Sequence, residues 1–197
     1  MLSRHTQSGL SLIELMIGVT IVGILLGMGI PSFSLWIQNV QNRGGAESIL
    51  NGLQLARTEA LKRNAVVRFE LRDENGLIAW NVGCVSVTAE CPATIESRAA
   101  NEGAQNARVG ISTTAIPVPT PANQFSTAIA KGTGLPAGVS FNGIGRLANA
   151  TGDIARIDIT NEISAETRRY VVFLGPGGHT RMCDPALAFA NNSQGCS

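Results

Sequence analysis

The chain has 197 residues, of which 44% are hydrophobic and 15% are charged, so it is long enough for a globular domain and too apolar for a disordered tail. Its 15 basic and 14 acidic residues give a formal net charge of +1, which excludes a bulk electrostatic attraction to nucleic acid or to an acidic substrate. Binding of that kind requires a local cluster of residues.

The N-terminus combines a short polar segment with a long apolar run. Residues 1–9 contain no acid, and residues 10–30 hold a single charged side chain, Glu14. A helix of about 20 residues spans roughly 30 Å, the thickness of a bilayer core. We therefore predict a transmembrane helix over residues 10–30, with an ordinary signal peptide as the alternative.

Glu14 needs a partner, because a charged side chain costs roughly 2.5 to 3.5 kcal/mol at the centre of a bilayer. Residues 10–30 contain no basic side chain. Cleavage after Gly9 would create a cation there, since the new amino group of Leu10 is charged at neutral pH. We predict that this amine pairs with Glu14 of a neighbouring subunit and sets the axial register between packed helices.

Residues 8–16, Ser-Gly-Leu-Ser-Leu-Ile-Glu-Leu-Met, resemble the class III leader junction of type IV pilins and pseudopilins. The resemblance implies that a prepilin peptidase cuts between Gly9 and Leu10 and methylates the amino group of Leu10. The family has Phe at this first mature position, so Leu10 is a departure. The resemblance also assigns Glu14 to assembly and matches Pro31 to the proline that kinks the helix of the family.

A second helical segment follows the apolar run. Residues 46–60 place apolar side chains at the i, i+3, i+4, i+7 spacing of one helix face. Gly44 and Gly45 mark a point where we expect the helix to bend or pause, since each glycine costs about 1 kcal/mol relative to alanine. Residues 31–64 are thus predicted as the amphipathic half of one long helix. Residues 46–64 are similar to the GspH/FimT branch of the pilin-like families.

The remaining residues, 65–197, are predicted to form a periplasmic β-rich headpiece. The strands indicated by alternation and turn signals lie at 65–71, 77–82, 139–141, 154–160, 168–174 and 179–185. The first two form a hairpin. The family resemblance implies an α+β fold in which the long N-terminal α-helix packs on an antiparallel β-sheet.

Two parts of the headpiece carry more specific expectations. In residues 154–160, Arg156 and Asp158 alternate with isoleucines, which is typical of a half-buried strand with one polar face. Residues 97–138 are low in charge and carry prolines at alternate positions near 117–121. We expect an irregular, mobile insertion there, with one or two strands such as 108–113.

The cysteines are Cys84, Cys91, Cys183 and Cys196. They form no C-x-x-C pair and the chain has only two histidines, so no metal site is expected. An even number of cysteines behind an export-type segment favours disulfides, for which three connectivities exist. We expect the two local pairs, Cys84 with Cys91 and Cys183 with Cys196, because each brackets a segment rich in Pro or in Asn, Gly and Ser. Four buried free thiols are the alternative.

Enzyme motifs are not found in the sequence: it has no nucleophile elbow, no phosphate-binding loop and no metalloprotease motif. We expect no catalysis and no cofactor. Arg57 and Glu59 are interpreted as local ion pairing on a solvated helix face.

Basic residues near the C-terminus suggest a second activity. Arg168, Arg169, His179 and Arg181 lie on two strands predicted to be adjacent, near the Gly-rich turn at 175–178. Guanidinium groups and turn amides hold phosphates, and some FimT-like minor pilins resemble DNA receptors. DNA binding is an alternative; exposed arginines that aid solubility are the preferred interpretation.

The sequence predicts a minor pilin or pseudopilin of the GspH/FimT type. We expect residues 1–9 to be its leader, and the subunit to be stored in the bacterial inner membrane as a single-pass protein. It is then expected to assemble with other minor and major pilins or pseudopilins into a type IV pilus or a pilus-like tip complex. A type II secretion pseudopilin of the H type is the main alternative, and a signal-anchored periplasmic domain acting alone is another. The Arg-Met-Cys-Asp-Pro ending at 181–185, which resembles that of the family, and the paired cysteines favour the pilus.

Overall fold

The computed structural model describes residues 11–148, 152–175 and 177–196, apart from the side chains of residues 28–31. The chain divides into two compact units, Met1–Ile37 and Gln38–Ser197. One helix, α1 (Leu12–Arg63), contains residues of both units. The strands are β1 (Val67–Leu71), β2 (Trp80–Cys84), β3 (Glu96–Arg98), β4 (Ala107–Ser112), β5 (Ala137–Phe141), β6 (Arg156–Asn161), β7 (Tyr170–Leu174) and β8 (Thr180–Cys183).

The second unit contains two antiparallel sheets of four strands each. The first sheet has the order β3-β2-β1-β5 and the second has the order β4-β6-β7-β8. The α+β class and the hairpin of β1 with β2 are therefore confirmed, as is the strand expected near 108–113, which is β4. The prediction had one antiparallel sheet, whereas the structure has two. The insertion strand β4 pairs with β6 in the second sheet and does not extend the β1–β2 hairpin.

The apolar face of α1 forms the centre of the core. Ala46, Ile49, Leu53, Ala56 and Ala60 have no exposed surface, as the helical periodicity predicted. They belong to one cluster with buried side chains from both sheets. Burial of apolar surface stabilises by about 25 cal/mol per Å², so this helix face helps to hold the two sheets of the headpiece together.

The helix does not pause at Gly44 and Gly45, because α1 continues through both residues. Gly44 is surrounded by open space, whereas a Cβ at Gly45 would overlap with the Ile78 side chain. Gly45 thus permits close approach of the Ile78 side chain to the helix.

The polar face expected on β6 is buried, which corrects the prediction of an exposed one. Arg156 is 7% exposed and Asp158 is completely buried. The reason is the segment 124–130, whose carbonyl groups and side chains lie over this face. Phe125 from this segment joins a small second core with Val171, Cys183 and Cys196. The insertion is irregular as expected, but part of it covers the second sheet.

Candidate functional site

The first part of α1 is an exposed apolar helix. Every large hydrophobic side chain between residues 12 and 26 is more than half exposed. The most apolar stretch of α1 has a mean hydropathy of 2.2, and in the described part of the chain α1 is the one helix with the length and composition of a membrane span. Phe33 and Trp36 stack at 5.6 Å in the same unit and are also exposed, which suits a membrane interface.

Glu14 lies in the first turn of α1, where the helix dipole favours a negative charge. Its backbone N–H donates to Ser11 Oγ at 3.3 Å. Within the described residues its carboxylate forms no ion pair. Gly9 and Leu10 lie outside the described residues, as does the side chain of Pro31, so the roles of these residues in processing and assembly stay predictions.

Buried amide side chains join α1 to the second sheet. Asn161 Nδ2 donates to Gln38 Oε1 at 3.1 Å and to Asn42 Oδ1 at 3.0 Å. Asn106 Nδ2 also donates to Gln38 Oε1, at 3.1 Å. On the other side, Asn42 Nδ2 donates to the carbonyl of Arg168 at 2.9 Å. Sequence reasoning missed this set, because amides in a helix give no periodic signal and their partners are distant in the chain.

The four predicted phosphate-binding residues do not form one cluster. β7 and β8 do pair, with Val171 opposite Cys183 and Leu174 opposite Thr180. Arg168 and Arg169 therefore precede one end of this hairpin and His179 lies at the other end. Arg168 and His179 are exposed.

The guanidinium groups of Arg169 and Arg181 contact other groups of the protein. Arg169 Nη1 lies 2.5 Å from Asp158 Oδ2, and its Nη2 donates to the carbonyl of Phe125. Arg181 Nη2 donates to the carbonyl of Gly195 at 2.6 Å, and its guanidinium lies 4.3 Å from the ring centre of Phe189. Both arginines thus fix neighbouring segments to the second sheet.

Asp158 is the centre of a buried ionic cluster. Arg156 Nε lies 2.6 Å from Asp158 Oδ1, and Arg169 approaches the other oxygen. The remaining Arg156 nitrogens donate to the carbonyls of Gln124 and Thr127 at 2.8 and 2.7 Å. Two arginines share one carboxylate, and carbonyl dipoles of the covering segment complete their hydrogen bonding.

The expected local ion pairing is present for Glu59, but the expected solvated face was wrong for this residue, which is 8% exposed, and the contact of Arg57 is to a distant part of the chain. Arg63 Nε lies 2.6 Å from Glu59 Oε2, and this hydrogen bond holds the pKa of the Glu59 carboxyl below its usual value. Arg57 Nε donates to the carbonyl of Gly145 at 2.9 Å. No catalytic arrangement of the two side chains follows from these contacts.

Both disulfides have the local pairing expected from the sequence. Cys84 is bonded to Cys91 and Cys183 to Cys196, with Cα atoms 5.6 and 5.0 Å apart. The first closes the loop after β2, and the second ties the chain after β8 back to the sheet. Each disulfide fixes a segment that has little regular structure of its own.

The first sheet carries two adjoining surface clefts on the face away from α1. Their volumes are about 330 and 320 Å³, and both are lined by Arg72 and Asn81. A groove of about 500 Å³ lies on the other side of β3, against α1. Sequence reasoning found neither feature, since both depend on how β3 and the loop before it fold over β2.

Comparisons with known proteins identify two matching families. The family described as type II transport protein GspH matches residues 45–178, which is more than half of the chain. The prokaryotic N-terminal methylation motif matches residues 4–30. No curated protein sequence matches significantly.

Two solved structures are similar to this chain. Both are of the type IV minor pilin FimU of Pseudomonas aeruginosa strain PAO1, in space groups P21 and P65. They are 14% and 16% identical to this chain, with TM-scores of 0.46 and 0.45. Each alignment covers 74% of this chain, and they cover 90% and 95% of the FimU chains.

Proposed function

The chain belongs to the GspH family of minor pilins and pseudopilins, and from this premise we propose that it is a minor subunit of a type IV pilus or of a pilus-like tip complex. The apolar part of α1 carries the proposal, because its large side chains are exposed in the single chain. Such a surface requires lipid before assembly and neighbouring helices afterwards.

The proposed pathway begins in the inner membrane with the headpiece in the periplasm. Prepilin peptidase removes residues 1–9, and residues 10–30 then serve as membrane anchor and filament-core helix. Residues 31–64 are the amphipathic half of α1, and residues 65–197 complete the headpiece. Because Glu14 is the one charged side chain of residues 10–30, we assign it to pairing with the Leu10 amine of a neighbouring pilin.

Processing is tested on the membrane-derived protein from cells with and without prepilin peptidase. We expect a start at Leu10 only when the peptidase is present, with a mass increase of about 14 Da where the amine is methylated. The measurements are N-terminal sequencing and intact mass. A start near Ile30, or an intact Met1 in both strains, would contradict the proposal.

Assembly is tested with Glu14→Ala. We expect normal processing and loss of incorporation into sheared filaments or tip complexes, because the axial ion pair is missing. Glu47→Ala is the matched control, since it removes an exposed carboxylate from the same helix, paired with Arg43 at 2.8 Å. Normal incorporation of the Glu14 variant would show that the carboxylate has no assembly role.

The second candidate function is a pseudopilus subunit of type II secretion, which the description of the matching family favours. A chromosomal deletion separates the two. Loss of surface pili with normal protein secretion supports the pilus. Loss of secretion with normal pili supports the alternative.

DNA binding through Arg168, Arg169, His179 and Arg181 stays a prediction and is not part of this proposal. Two of the three guanidinium groups contact protein groups, and the exposed pair is split between the ends of the β7–β8 hairpin. Binding of duplex DNA that weakens with salt and on Arg181→Ala would restore this activity.

A further inference from the structure

The β6–β7 loop, residues 162–169, is held against the part of α1 with which the second unit begins. The backbone N–H of Arg168 donates to Asn39 Oδ1 at 2.7 Å, and its carbonyl accepts from Asn42 Nδ2 at 2.9 Å. Thr167 Oγ1 accepts from the same Asn42 nitrogen at 3.1 Å. These hydrogen bonds fix the position of the loop on the helix.

The covalent chain keeps this loop close to the end of the apolar run. Asn39 follows residue 30 by nine residues. Nine residues span at most about 32 Å when fully extended and about 14 Å as a helix. The β6–β7 loop is therefore among the parts of the headpiece that the chain holds nearest to a membrane spanned by residues 10–30.

Ile163, at the start of the loop, is an apolar residue fixed at the surface. It is 62% exposed, and its backbone N–H donates to Asn161 Oδ1 at 2.9 Å. Asn161 Nδ2 in turn donates to Gln38 and Asn42 of α1, so the turn is attached to the helix. A group that is already held in place loses little conformational entropy on binding. Ile163 thus offers apolar surface to a partner at a small ordering cost.

Arg168 adds a positive charge to the same loop. It is exposed, and within the described residues its guanidinium forms no hydrogen bond or ion pair. The acids of the loop are Glu162 and Glu166. Glu162 is compensated by Lys131 at 2.5 Å and by Arg108 at 3.4 Å. Glu166 is exposed and opposes the charge of Arg168, which makes it a sensitive position for a test.

An apolar side chain and a free guanidinium in one fixed loop match the surface of an anionic bilayer. Surface-bound proteins place apolar side chains at the boundary between headgroups and acyl chains, and their basic residues are attracted to anionic lipids. A guanidinium group also binds phosphate oxygens through paired hydrogen bonds. The chemistry of Ile163 and Arg168 therefore fits lipid headgroups.

A similar pair of residues at a distant point of α1 provides an internal control. Ile144 is 67% exposed, and Arg146 is exposed in the same turn after β5. Arg57 Nε donates to the carbonyl of Gly145 in this turn, at 2.9 Å. Arg57 follows Asn39 by 18 residues, or about 27 Å of helix. The two turns thus share their chemistry and differ in their distance along the chain from the apolar run.

We propose that the β6–β7 loop binds the surface of the membrane that holds residues 10–30, with Ile163 between the lipid headgroups and Arg168 on the phosphates of anionic lipids. The membrane anchor itself rests on the proposed function. The lipid contact of the loop is an additional property of the headpiece, and it holds the unassembled subunit against the bilayer.

Lipid contact is tested by NMR on the full chain in nanodiscs, with its isoleucine methyl groups labelled with ¹³C. Nuclear Overhauser effects between a methyl group and lipid protons require direct contact. We expect them at Ile163 in bilayers that contain phosphatidylglycerol. Ile144 is the control in the same molecule and is expected to contact water alone. Contact with water alone at Ile163 would overturn the proposal and leave the loop to a protein neighbour.

The same spectra test the membrane anchor separately. Ile17, Ile21 and Ile24 lie in the exposed apolar part of α1, and we expect their methyl groups to contact lipid acyl chains. Lipid contact at these residues without lipid contact at Ile163 would contradict the loop alone. A lack of lipid contact at all three would contradict the anchor of the proposed function.

The charge is tested by the ratio of bound to free loops at a fixed fraction of phosphatidylglycerol. Arg168→Gln is expected to lower this ratio about fivefold, which is the contribution of one cation near an anionic surface. Glu166→Gln is expected to raise it, because it removes the opposing charge. Arg146→Gln is the control and is expected to leave it unchanged. Equal effects of Arg168→Gln and Arg146→Gln would overturn the phosphate contact.

Thermal unfolding in detergent distinguishes lipid binding from a role in folding. Ile163→Ser is expected to abolish lipid contact of the loop, followed at the exposed Ala165 methyl group. It should change Tm by less than about 2 °C, because Ile163 is exposed. Asn42→Ala removes donations to Thr167 and Arg168, and it is expected to lower Tm clearly. A fall with Ile163→Ser as large as with Asn42→Ala would overturn the proposal.

Discussion

The outer faces of the two sheets differ in how their polar side chains are satisfied. On the second sheet, Arg156 and Asp158 lie beneath the segment 124–130 and have a full set of partners. On the first sheet, the covering loop reaches Gly83 but leaves Asn81 open and unpaired. One face has become interior, whereas the other has stayed at the surface, where solvent reaches the Asn81 carboxamide.

The difference shows that alternation along a strand does not decide whether its polar face is exposed. The cover of the second sheet supplies carbonyl acceptors and Phe125, which is 2% exposed and packs against Phe173 with the ring centres 5.5 Å apart. A charged pair can be buried only when such partners are present. The shorter loop over the first sheet brings backbone into contact at Gly83 and supplies Asn81 with no partner.

The largest effect is expected from Asp158→Ala, which leaves the buried Arg156 and the partly buried Arg169 without their carboxylate. We expect a loss of about 3–5 kcal/mol in unfolding free energy. Urea unfolding in detergent, followed by tryptophan fluorescence, measures it. Glu166→Ala removes an exposed acid of the same sheet region and serves as control. A loss as small as that of the control would show that the cover does not depend on the ionic cluster.

Phe125→Ala tests the apolar part of the same cover. A buried phenylalanine truncated to alanine leaves a cavity, so we expect a loss of about 3 kcal/mol, measured by the same unfolding experiment. Phe189→Ala removes a half-exposed ring beside Arg181 and should cost less than about 1 kcal/mol. Similar values for the two variants would mean that segment 124–130 is not packed as the structure shows.

Gly83→Ala tests the smaller cover of the first sheet. The added Cβ would collide with the Ala93 backbone, and we expect a loss of about 1–3 kcal/mol. Gly44→Ala is the control and is expected to raise the stability. Its site is open, and alanine favours a helix by up to about 1 kcal/mol relative to glycine. Thermal unfolding of both variants gives the comparison, and a neutral Gly83 variant would place the loop away from β2.

The smallest effect concerns Glu162, whose carboxylate binds Lys131 at 2.5 Å. This hydrogen bond lowers the pKa of Glu162, so its contribution to stability is present above the usual pKa of about 4.3 and is lost as the pH falls through the lowered value. Glu162→Gln is therefore expected to lower Tm slightly at pH 7, and this difference should shrink as the pH falls through the lowered pKa of Glu162. The difference should also shrink in 1 M salt, since both groups are exposed.

The helix and most strands were predictable because their signals are local. The spacing of Ile49, Leu53 and Ala56 required one buried helix face, and the alternation in 154–160 required a strand. The burial of Arg156 and Asp158 was not predictable, because it depends on residues more than twenty positions away that have no periodicity.

Residues of the candidate surfaces were likewise predictable only where their signal in the sequence is local. Glu14 was identified from the sequence, because a single carboxylate in an apolar run is a local anomaly. Ile163 was not, since one isoleucine among polar residues has many structural explanations. Only its exposure, together with the hydrogen bonds that hold its loop on α1 at Asn39 and Asn42, makes it distinctive.

The buried amides between α1 and the second sheet also determine how the headpiece bears mechanical load. Tension along α1 reaches the hydrogen bonds of Gln38 and Asn42 together, because both side chains bind Asn161. Bonds stretched in parallel share the force, whereas bonds that open one after another fail at the strength of a single bond. The headpiece is therefore attached to this part of α1 by a shear joint.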